Sequence, residues 1–190
     1  MIGAMIKMAH RQLKKPSYAG DDFQTPNWAV DLLVDNYLAL TEYKRVWECA
    51  SGGGSLAARL RQHKYQVIET DIEKGTNFIP SLITNDEIAR NDYDIIITNP
   101  PYSKKNSFIF QCAKLKKPFA LLLPLTALES AKRHLIWREG LFLLIPNRRV
   151  NFYKLHWDQT MKAGGAWFPV GWFICGPDIK KCDIKFCDCL

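Results

Sequence analysis

The sequence has no apolar run long enough to cross a bilayer, and it has no low-complexity segment. Its longest apolar runs, at 119–123 and 141–145, are far shorter than the roughly 18 residues that a membrane-spanning helix needs. At the N-terminus the apolar residues precede the basic ones, which reverses the order of a secretory signal. With 190 residues, 47% of them apolar, the chain is expected to be a single soluble domain in the cytoplasm, without a membrane partner.

The cysteines and histidines form no familiar metal or disulfide pattern. Cys49 and Cys112 fall in apolar, periodic segments, and the other four cysteines crowd the C-terminus at spacings that match no common zinc site. The four histidines have neither metal nor catalytic-triad spacing. We expect reduced thiols, no metal and a Cys-rich tail over residues 177–190, with zinc binding by the C-terminal cysteines as the alternative.

Acidic side chains are too few to balance the basic ones. The chain has 26 Lys and Arg residues against 19 Asp and Glu residues, a formal net charge of +7. This surplus favours a polyanionic partner such as nucleic acid, because binding releases the counterions that are condensed on phosphates. The surplus is also compatible with a solvated basic surface, so the charge alone does not identify the partner.

Helical and strand patterns alternate along residues 23–176, after a basic lead-in over residues 1–22. Thr25 can cap a first helix that has Pro26 at its first position. Further helices are predicted at 56–61, 107–114 and 127–138, and strands at 45–49, 66–70, 94–98, 119–123, 141–145 and 167–175. Strands separated by helices predict a mainly parallel sheet within an α/β/α sandwich.

Two of these strands end in residues that suit a nucleoside. In such a sheet, ligands bind at the carboxyl ends of the strands. Glu48 lies near the end of one strand, and the turn that follows contains Gly52 and Gly54, which allow close backbone approach to a ligand. Asp71 ends the next strand, where a carboxylate can accept bonds from both ribose hydroxyls. The glycine turn taken alone is also compatible with a simple tight turn.

The acid beside the glycine turn narrows the choice of ligand. Glu48 would repel a pyrophosphate, but it suits a ligand that carries an ammonium and a sulfonium group. S-adenosylmethionine has both groups. The sequence therefore favours S-adenosylmethionine over a dinucleotide as the cofactor.

A third strand runs into Asn99-Pro100-Pro101-Tyr102, which can continue neither a strand nor a helix. The prolines remove two N–H donors, so acceptors dominate this strand end. The Asn99 side-chain oxygen and the Pro100 carbonyl can hold the two hydrogens of one amino group, which leaves its lone pair ready for in-line attack on a methyl group. Tyr102 can stack on the substrate ring. The alternative is a rigid turn with Tyr102 packed over it.

The motifs in chain order are Glu48-x-Ala50-x-Gly52-x-Gly54, Asp71 and Asn99-Pro100-Pro101-Tyr102. In this order they resemble class I S-adenosylmethionine-dependent methyltransferases, most closely the DNA adenine-N6 methyltransferases, including small phage and prophage versions. The resemblance covers about residues 23–176. It implies a Rossmann-like α/β/α sandwich with a mostly parallel seven-stranded sheet whose last strand is antiparallel.

The resemblance also implies roles for individual residues. Those implied for the cofactor are Thr25, Pro26, Glu48, Ala50, Gly52 and Gly54 at the methionine part, Asp71 at the ribose, and Asn77 and Phe78 at the adenine. Those implied for the target base are Asn99, Pro100, Pro101 and Tyr102, with Phe152 on a later loop helping to hold a flipped base. The family often has Asp where this chain has Asn77, a departure that concerns cofactor affinity.

A flipped base calls for a basic surface on the flanking phosphates. The basic residues expected to surround the cleft are Lys104, Lys105, Arg148, Arg149, Lys154 and Lys162. Relatives with this motif order usually insert a target-recognition region after the tetrapeptide, and here residues 103–190 are nearly all needed to complete the sheet. We therefore expect low sequence specificity, or specificity supplied by a partner.

Three other functions are compatible with the motifs. An RNA adenine or guanine methyltransferase would make the same demand on an amino group. A protein glutamine methyltransferase would hold an amide NH₂ in the same way, although that family carries a sizeable N-terminal recognition domain and only residues 1–22 precede Phe23. A catalytically silent nucleic-acid-binding relative is the third. The sequence does not indicate an oligomeric state.

Overall fold

A computed structural model describes residues 23–79, 92–155, 161–165 and 168–188, with the backbone alone at 154–155 and 161–165. The predicted lead-in at 1–22, the side chains of Lys154 and Lys162, and Cys189 lie outside the described residues. The helices are α1 (Asn27–Asn36), α2 (Ser55–Gln62), α3 (Lys105–Leu115) and α4 (Ala131–Trp137). The strands are β1 (Arg45–Glu48), β2 (Gln66–Glu69), β3 (Ile95–Thr98), β4 (Phe119–Pro124), β5 (Leu141–Pro146), β6 (Asn151–Leu155), β7 (Met161–Gly165), β8 (Val170–Cys175) and β9 (Cys182–Cys187).

Seven strands form one sheet in the order β2–β1–β3–β4–β8–β5–β9. Strand β1 pairs in parallel with β2 and β3, β3 with β4, and β5 with β9, whereas β8 runs antiparallel to both β4 and β5. The predicted Rossmann-like, mostly parallel seven-stranded sheet is therefore confirmed. One detail differs, because β9 follows the antiparallel strand along the chain.

Helices cover both faces of this sheet. Strand β3 shows why, since Ile95 and Ile97 point to one face and Ile96 points to the other, and all three are fully buried. Helices α1 and α2 pack on the first face, where Trp172 Nε1 of β8 donates to the Ala29 carbonyl of α1 at 2.7 Å. Helices α3 and α4 pack on the second face. Because β1, β2, β3 and β4 run in parallel, their carboxyl ends meet at one edge of the sandwich.

Three local predictions need correction. Helix α1 begins at Asn27, with Pro26 at the N-cap position and no capping side chain, so Thr25 does not cap it. The helix predicted at 127–138 is split into a 3₁₀ turn, Leu125–Leu128, and α4, because the Ser130 hydroxyl accepts the Arg133 N–H and starts a new helix. Residues 182–187, to which we assigned no strand, form β9.

Strands β6 and β7 form a separate antiparallel hairpin that the sequence analysis did not predict. Its first strand is held to the segment before α1 by two backbone bonds between Gln24 and Tyr153, with N···O distances of 2.7 and 3.2 Å. The hairpin therefore lies beside the chain that leads into α1. No helix in the described part of the chain is both long and apolar enough to span a bilayer.

The turn after β4 depends on a buried arginine, which gives a stability prediction. Arg133 is 7% exposed, and its guanidinium donates to the carbonyls of Thr126, Ala127 and Glu129 and to the side chain of Asn106. In Arg133→Met these acceptors lose their donor, so we expect the free energy of unfolding to fall by about 2–4 kcal/mol.

Urea denaturation of purified protein measures this change. The matched control is Arg138→Met, because Arg138 is exposed and pairs with its neighbour Glu139 at 3.4 Å. We expect the control to change the free energy of unfolding by about 0.5 kcal/mol or less. Equal losses in the two variants would contradict the role assigned to Arg133.

Candidate active site

A cavity of about 580 Å³ lies at the carboxyl ends of β1, β2 and β3. This volume is in the usual range for a small-molecule site. The sequence-predicted residues that line it are Thr25, Glu48, Ala50, Gly52, Asp71, Asn77, Phe78, Asn99, Pro101 and Lys104. The predicted residues outside its lining are Pro26, Gly54, Pro100, Tyr102, Lys105, Arg148, Arg149 and Phe152. The structure therefore brings together most of the residues assigned to the cofactor.

The glycine turn is shaped by close packing. Gly54 has φ +79° at the start of α2, a left-handed conformation that favours glycine. A Cβ at Gly53 would lie 2.8 Å from Oε1 of the buried Gln24 side chain. The sequence alone does not indicate a role for Gly53, because only the folded chain brings Gln24 against it.

Asp71 connects the ends of β1 and β2. Its Oδ2 accepts the Gly52 N–H at 2.8 Å, and its Oδ1 accepts the Glu73 N–H at 2.9 Å. The side chain is buried at the cavity wall. Each carboxylate oxygen keeps a further lone pair, so the group can still accept bonds from two hydroxyls of a ligand. The geometry thus suits the predicted ribose contact.

Glu48 is buried with part of its carboxyl group unpaired. It is 1% exposed, Oε1 accepts the Ala50 N–H at 3.3 Å, and Oε2 has no hydrogen-bond partner among the described residues. Burial raises the pKa of Glu48 to about 8, because the charged form loses its hydration, and the nearby Thr98 hydroxyl and Ala50 N–H offset part of this rise. A cationic group bound beside this carboxyl would favour its charged form and lower its pKa.

Asn99 is oriented by its contact with the segment that precedes α1. Its Nδ2 donates to the Phe23 carbonyl at 3.1 Å. Because a carbonyl only accepts, the amide must turn its nitrogen toward Phe23 and its oxygen away. Oδ1 is buried and has no hydrogen-bond partner in the described part of the chain. The site therefore holds an acceptor that lacks a donor, at the strand end where the sequence predicts one.

Tyr102 lies in an aromatic cluster that also contains Phe23, Phe152 and Phe168. Its ring is half-buried and meets Phe152 and Phe168 edge to face, with centroids 6.1 and 5.6 Å apart. Phe152 is fully buried and lies 5.7 Å from Phe23. In this arrangement Phe152 supports Tyr102 from within the core, and the predicted contacts of both rings with a base stay predictions.

A second aromatic group forms the wall near Asn77. Phe78 stacks on Phe108, with centroids 5.1 Å apart and an interplanar angle of 27°. Asn77 Oδ1 accepts the Ile79 N–H at 3.1 Å and so holds the turn. The lining residues to which the sequence analysis gave no individual role are Phe23, Gln24, Cys49, Ser51, Gly53, Ser55, Leu56, Ile72, Glu73, Ile79 and Phe108. Among these, the signal was present for Phe23 and Gln24, which directly precede Thr25.

Of the predicted basic residues whose side chains the structure describes, one lines the cavity and three lie outside its lining. Lys104 is exposed and lines the cavity, and Lys105 begins α3. The Arg148 guanidinium lies 4.6 Å from the ring centroid of Trp28 on α1, while Arg149 is exposed. Within the residues that the structure describes, no group of three or more Cys, His, Asp or Glu side chains is arranged to hold a metal ion.

Comparison with known proteins gives the fold its context. No family model and no curated protein matches the chain. A provisionally assigned RNA methyltransferase from Pyrococcus horikoshii aligns with 89% of this chain and 93% of its own, at a TM-score of 0.51 and 18% identity. Precorrin-6y C5,15-methyltransferase from Geobacter metallireducens aligns over 81% and 93%, with a TM-score of 0.40 and 14% identity. The chain therefore has a Rossmann-like fold of the kind found in solved methyltransferases.

Proposed function

We propose that this chain transfers a methyl group from S-adenosylmethionine to the N6 amino group of adenine in DNA. The observation that carries the proposal is the orientation of Asn99, whose buried Oδ1 lacks a donor in the wall of a cavity of about 580 Å³. An exocyclic amino group supplies the missing donor. The order of the motifs, with Glu48 and Asp71 before the tetrapeptide, supports the same assignment.

The residues of the cavity fit the cofactor. Glu48 would meet its positive charge, Asp71 would accept bonds from its ribose, and Phe78 provides an apolar wall for its adenine. When bound, S-adenosylmethionine supplies a methyl carbon on a positively charged sulfur. The protein would contribute mainly by positioning the cofactor and by excluding water from the cavity, because the cavity residues Thr25, Glu48 and Asp71 are all buried.

The tetrapeptide prepares the amino group of the substrate. Asn99 Oδ1 and the Pro100 carbonyl would each accept one of its hydrogens, which draws the nitrogen lone pair out of conjugation. With the cofactor held by Glu48 and Asp71, the nitrogen would bond to the methyl carbon as the bond between carbon and sulfur broke, the electron pair would stay on sulfur, and one amino proton would pass to water. No strong base would be required, since the two acceptors would stabilise the positive charge that develops on the amino group.

Adenine in duplex DNA must leave the stack before it can reach Asn99. Lys104 at the cavity, and Arg148 and Arg149 after β5, would hold the flanking phosphates, consistent with the net charge of +7. The DNA assignment rests on this charge and on the resemblance of the motifs. An amino group on RNA would make similar demands on Asn99, so the experiment has to compare the two polymers.

The direct test is transfer of radiolabelled methyl from S-adenosylmethionine to duplex DNA, single-stranded DNA, RNA and protein in parallel. Nucleoside analysis of the labelled product identifies the acceptor atom. We expect label in DNA as N6-methyladenine. Label found solely in RNA or protein, or on cytosine, would contradict the proposal.

Replacing Asn99 separates catalysis from cofactor binding. In Asn99→Ala the amino group loses a fixed acceptor, so we expect kcat to fall about 10²–10³-fold while the Kd for S-adenosylmethionine changes less than about threefold. Asn77→Ala is the matched control, because it truncates the same side chain on the cofactor side of the cavity. We expect it to weaken cofactor binding and to leave kcat near the wild-type value. Calorimetry and single-turnover assays measure the two quantities, and weaker cofactor binding in a folded Asn99→Ala protein would refute the assignment.

The raised pKa of Glu48 makes cofactor binding depend on pH. A cation binds the carboxylate form, and with a pKa of about 8 that form is scarce at low pH. Affinity for S-adenosylmethionine should therefore rise about tenfold per pH unit between roughly pH 6 and 7.5, with release of about one proton on binding. Calorimetry in buffers of different ionisation enthalpy measures both effects. Glu48→Gln should bind more weakly and with a flat pH dependence; an equally steep dependence in that variant would rule out Glu48 as the cause.

A further inference from the structure

The outer edge of β9 carries backbone N–H and C=O groups that point away from the sheet. The carbonyls of Lys181 and Cys187 accept N–H groups from the β5 side, at Leu141 and Asn147. In a parallel pair, alternate residues face the same neighbour, so the N–H and C=O groups of Cys182, Ile184 and Phe186 face outward. Among the described strands, none pairs with this edge.

Apolar side chains accompany this open edge. Ile184 is 55% exposed and Phe186 is 76% exposed, and both lie on the sheet face that carries Leu143 and Ile145 of β5. Helix α4, which packs on the same face, ends at Trp137, before β5 begins. An exposed edge strand with apolar residues is a template for pairing with another strand.

The sequence of β9 is complementary to itself in one antiparallel register. If Ile184 lies opposite Ile184 of a second copy, Asp183 lies opposite Lys185, and Cys182 lies opposite Phe186. A twofold axis normal to the sheet keeps Ile184 and Phe186 of both copies on one face. The two neighbouring registers that preserve the faces place Asp183 opposite Asp183 or Lys185 opposite Lys185, so like charges disfavour both.

The backbone agrees with the same register. The N–H and C=O groups of Cys182, Ile184 and Phe186 point outward. In this register the Ile184–Ile184 pair and the Cys182–Phe186 pairs therefore become the hydrogen-bonded pairs of an antiparallel ladder. Asp183 and Lys185 then occupy the non-hydrogen-bonded positions, where facing side chains are closer. Both side chains are exposed. Asp183 Oδ1 accepts the Ile184 N–H at 2.9 Å in the single chain, and this bond would be exchanged for a backbone bond and a contact with Lys185 of the second copy.

We propose that the chain forms a homodimer through antiparallel pairing of β9, with Ile184 on the twofold axis and Asp183–Lys185 pairs on either side. The two seven-stranded sheets then become one continuous sheet. The cavity lies at the ends of β1, β2 and β3, toward the opposite edge of the sheet, so pairing leaves it open in both copies.

Charge reversal tests the register. Asp183→Lys places Lys opposite Lys, and Lys185→Asp places Asp opposite Asp, so each variant alone should dimerise at least about tenfold more weakly than the wild type. An equimolar mixture of the two restores both attractive pairs and should form a heterodimer of near wild-type affinity. The double variant, Asp183→Lys with Lys185→Asp, should also recover.

Sedimentation equilibrium on the full chain measures the association, and mass spectrometry of the native mixture distinguishes the heterodimer. The matched control is Lys132→Asp, which reverses an exposed charge on α4 and should leave dimerisation unchanged. Circular dichroism checks that every variant is folded. A wild-type chain that stays monomeric at about 100 µM, some hundredfold above a typical micromolar Kd, would overturn the proposal. A dimer that both single variants leave intact would also overturn it.

Discussion

The hydrogen bond from Asn99 Nδ2 to the Phe23 carbonyl determines how the whole site is organised. It turns Asn99 Oδ1 away from the Phe23 carbonyl, leaves that oxygen without a hydrogen-bond partner among the described residues, and ties the end of β3 to the segment before α1. That segment is in turn held to β6 through Gln24 and Tyr153. Phe152 of β6 then packs against Tyr102, which closes a ring of contacts around the tetrapeptide. The orientation of one amide therefore depends on three distant parts of the chain.

Two polar atoms of the site lower the stability of the folded chain, because they are buried without a hydrogen-bond partner among the described residues. Glu48 Oε2 and Asn99 Oδ1 are both buried and unpaired among the described residues. A buried polar group without a hydrogen-bond partner costs about 1–3 kcal/mol, so a chain selected for stability alone would satisfy or replace these groups. They lie at the carboxyl ends of β1 and β3, where a parallel sheet leaves room for a ligand. The two groups suit different partners. The Glu48 carboxyl suits a cation, and the Asn99 oxygen suits the hydrogen of an amino group.

Much of the fold could be predicted because buried parallel strands leave a strong signal. The isoleucines of β3 and the apolar run of β4 cannot be explained by a half-exposed strand, and glycines and acids follow the strands at the ligand edge. Strand β9 lacks such an apolar run, and the strand signal that it does carry, the alternation of Asp183 and Lys185 with Ile184 and Phe186, was overlooked in the sequence. The β6–β7 hairpin was not predicted either, and the bridge between Gln24 and Tyr153 that joins it to the segment before α1 is a tertiary contact that the sequence does not show.

The position of several cavity residues could be predicted from the sequence, whereas their chemical roles stay predictions. Glu48, Asp71 and Asn99 follow from residue type and strand position, and the structure brings all three to one cavity. Burial is a property of the folded chain, so the sequence could not indicate that Phe152 is enclosed or that Gly53 abuts Gln24.

The two proposals together constrain how a dimer would meet DNA. All strands of the sheet except β8 run in one direction, so the cavity lies at the edge where those strands end. Antiparallel pairing of β9 reverses that direction in the second copy, and the two cavities then face opposite sides of the joined sheet. Two sites that face opposite ways cannot act together on adjacent bases of one straight duplex. Each copy would therefore work on its own stretch of DNA, and the dimer would contribute to the stability of the β9 edge instead of to the recognition of a twofold-symmetric target.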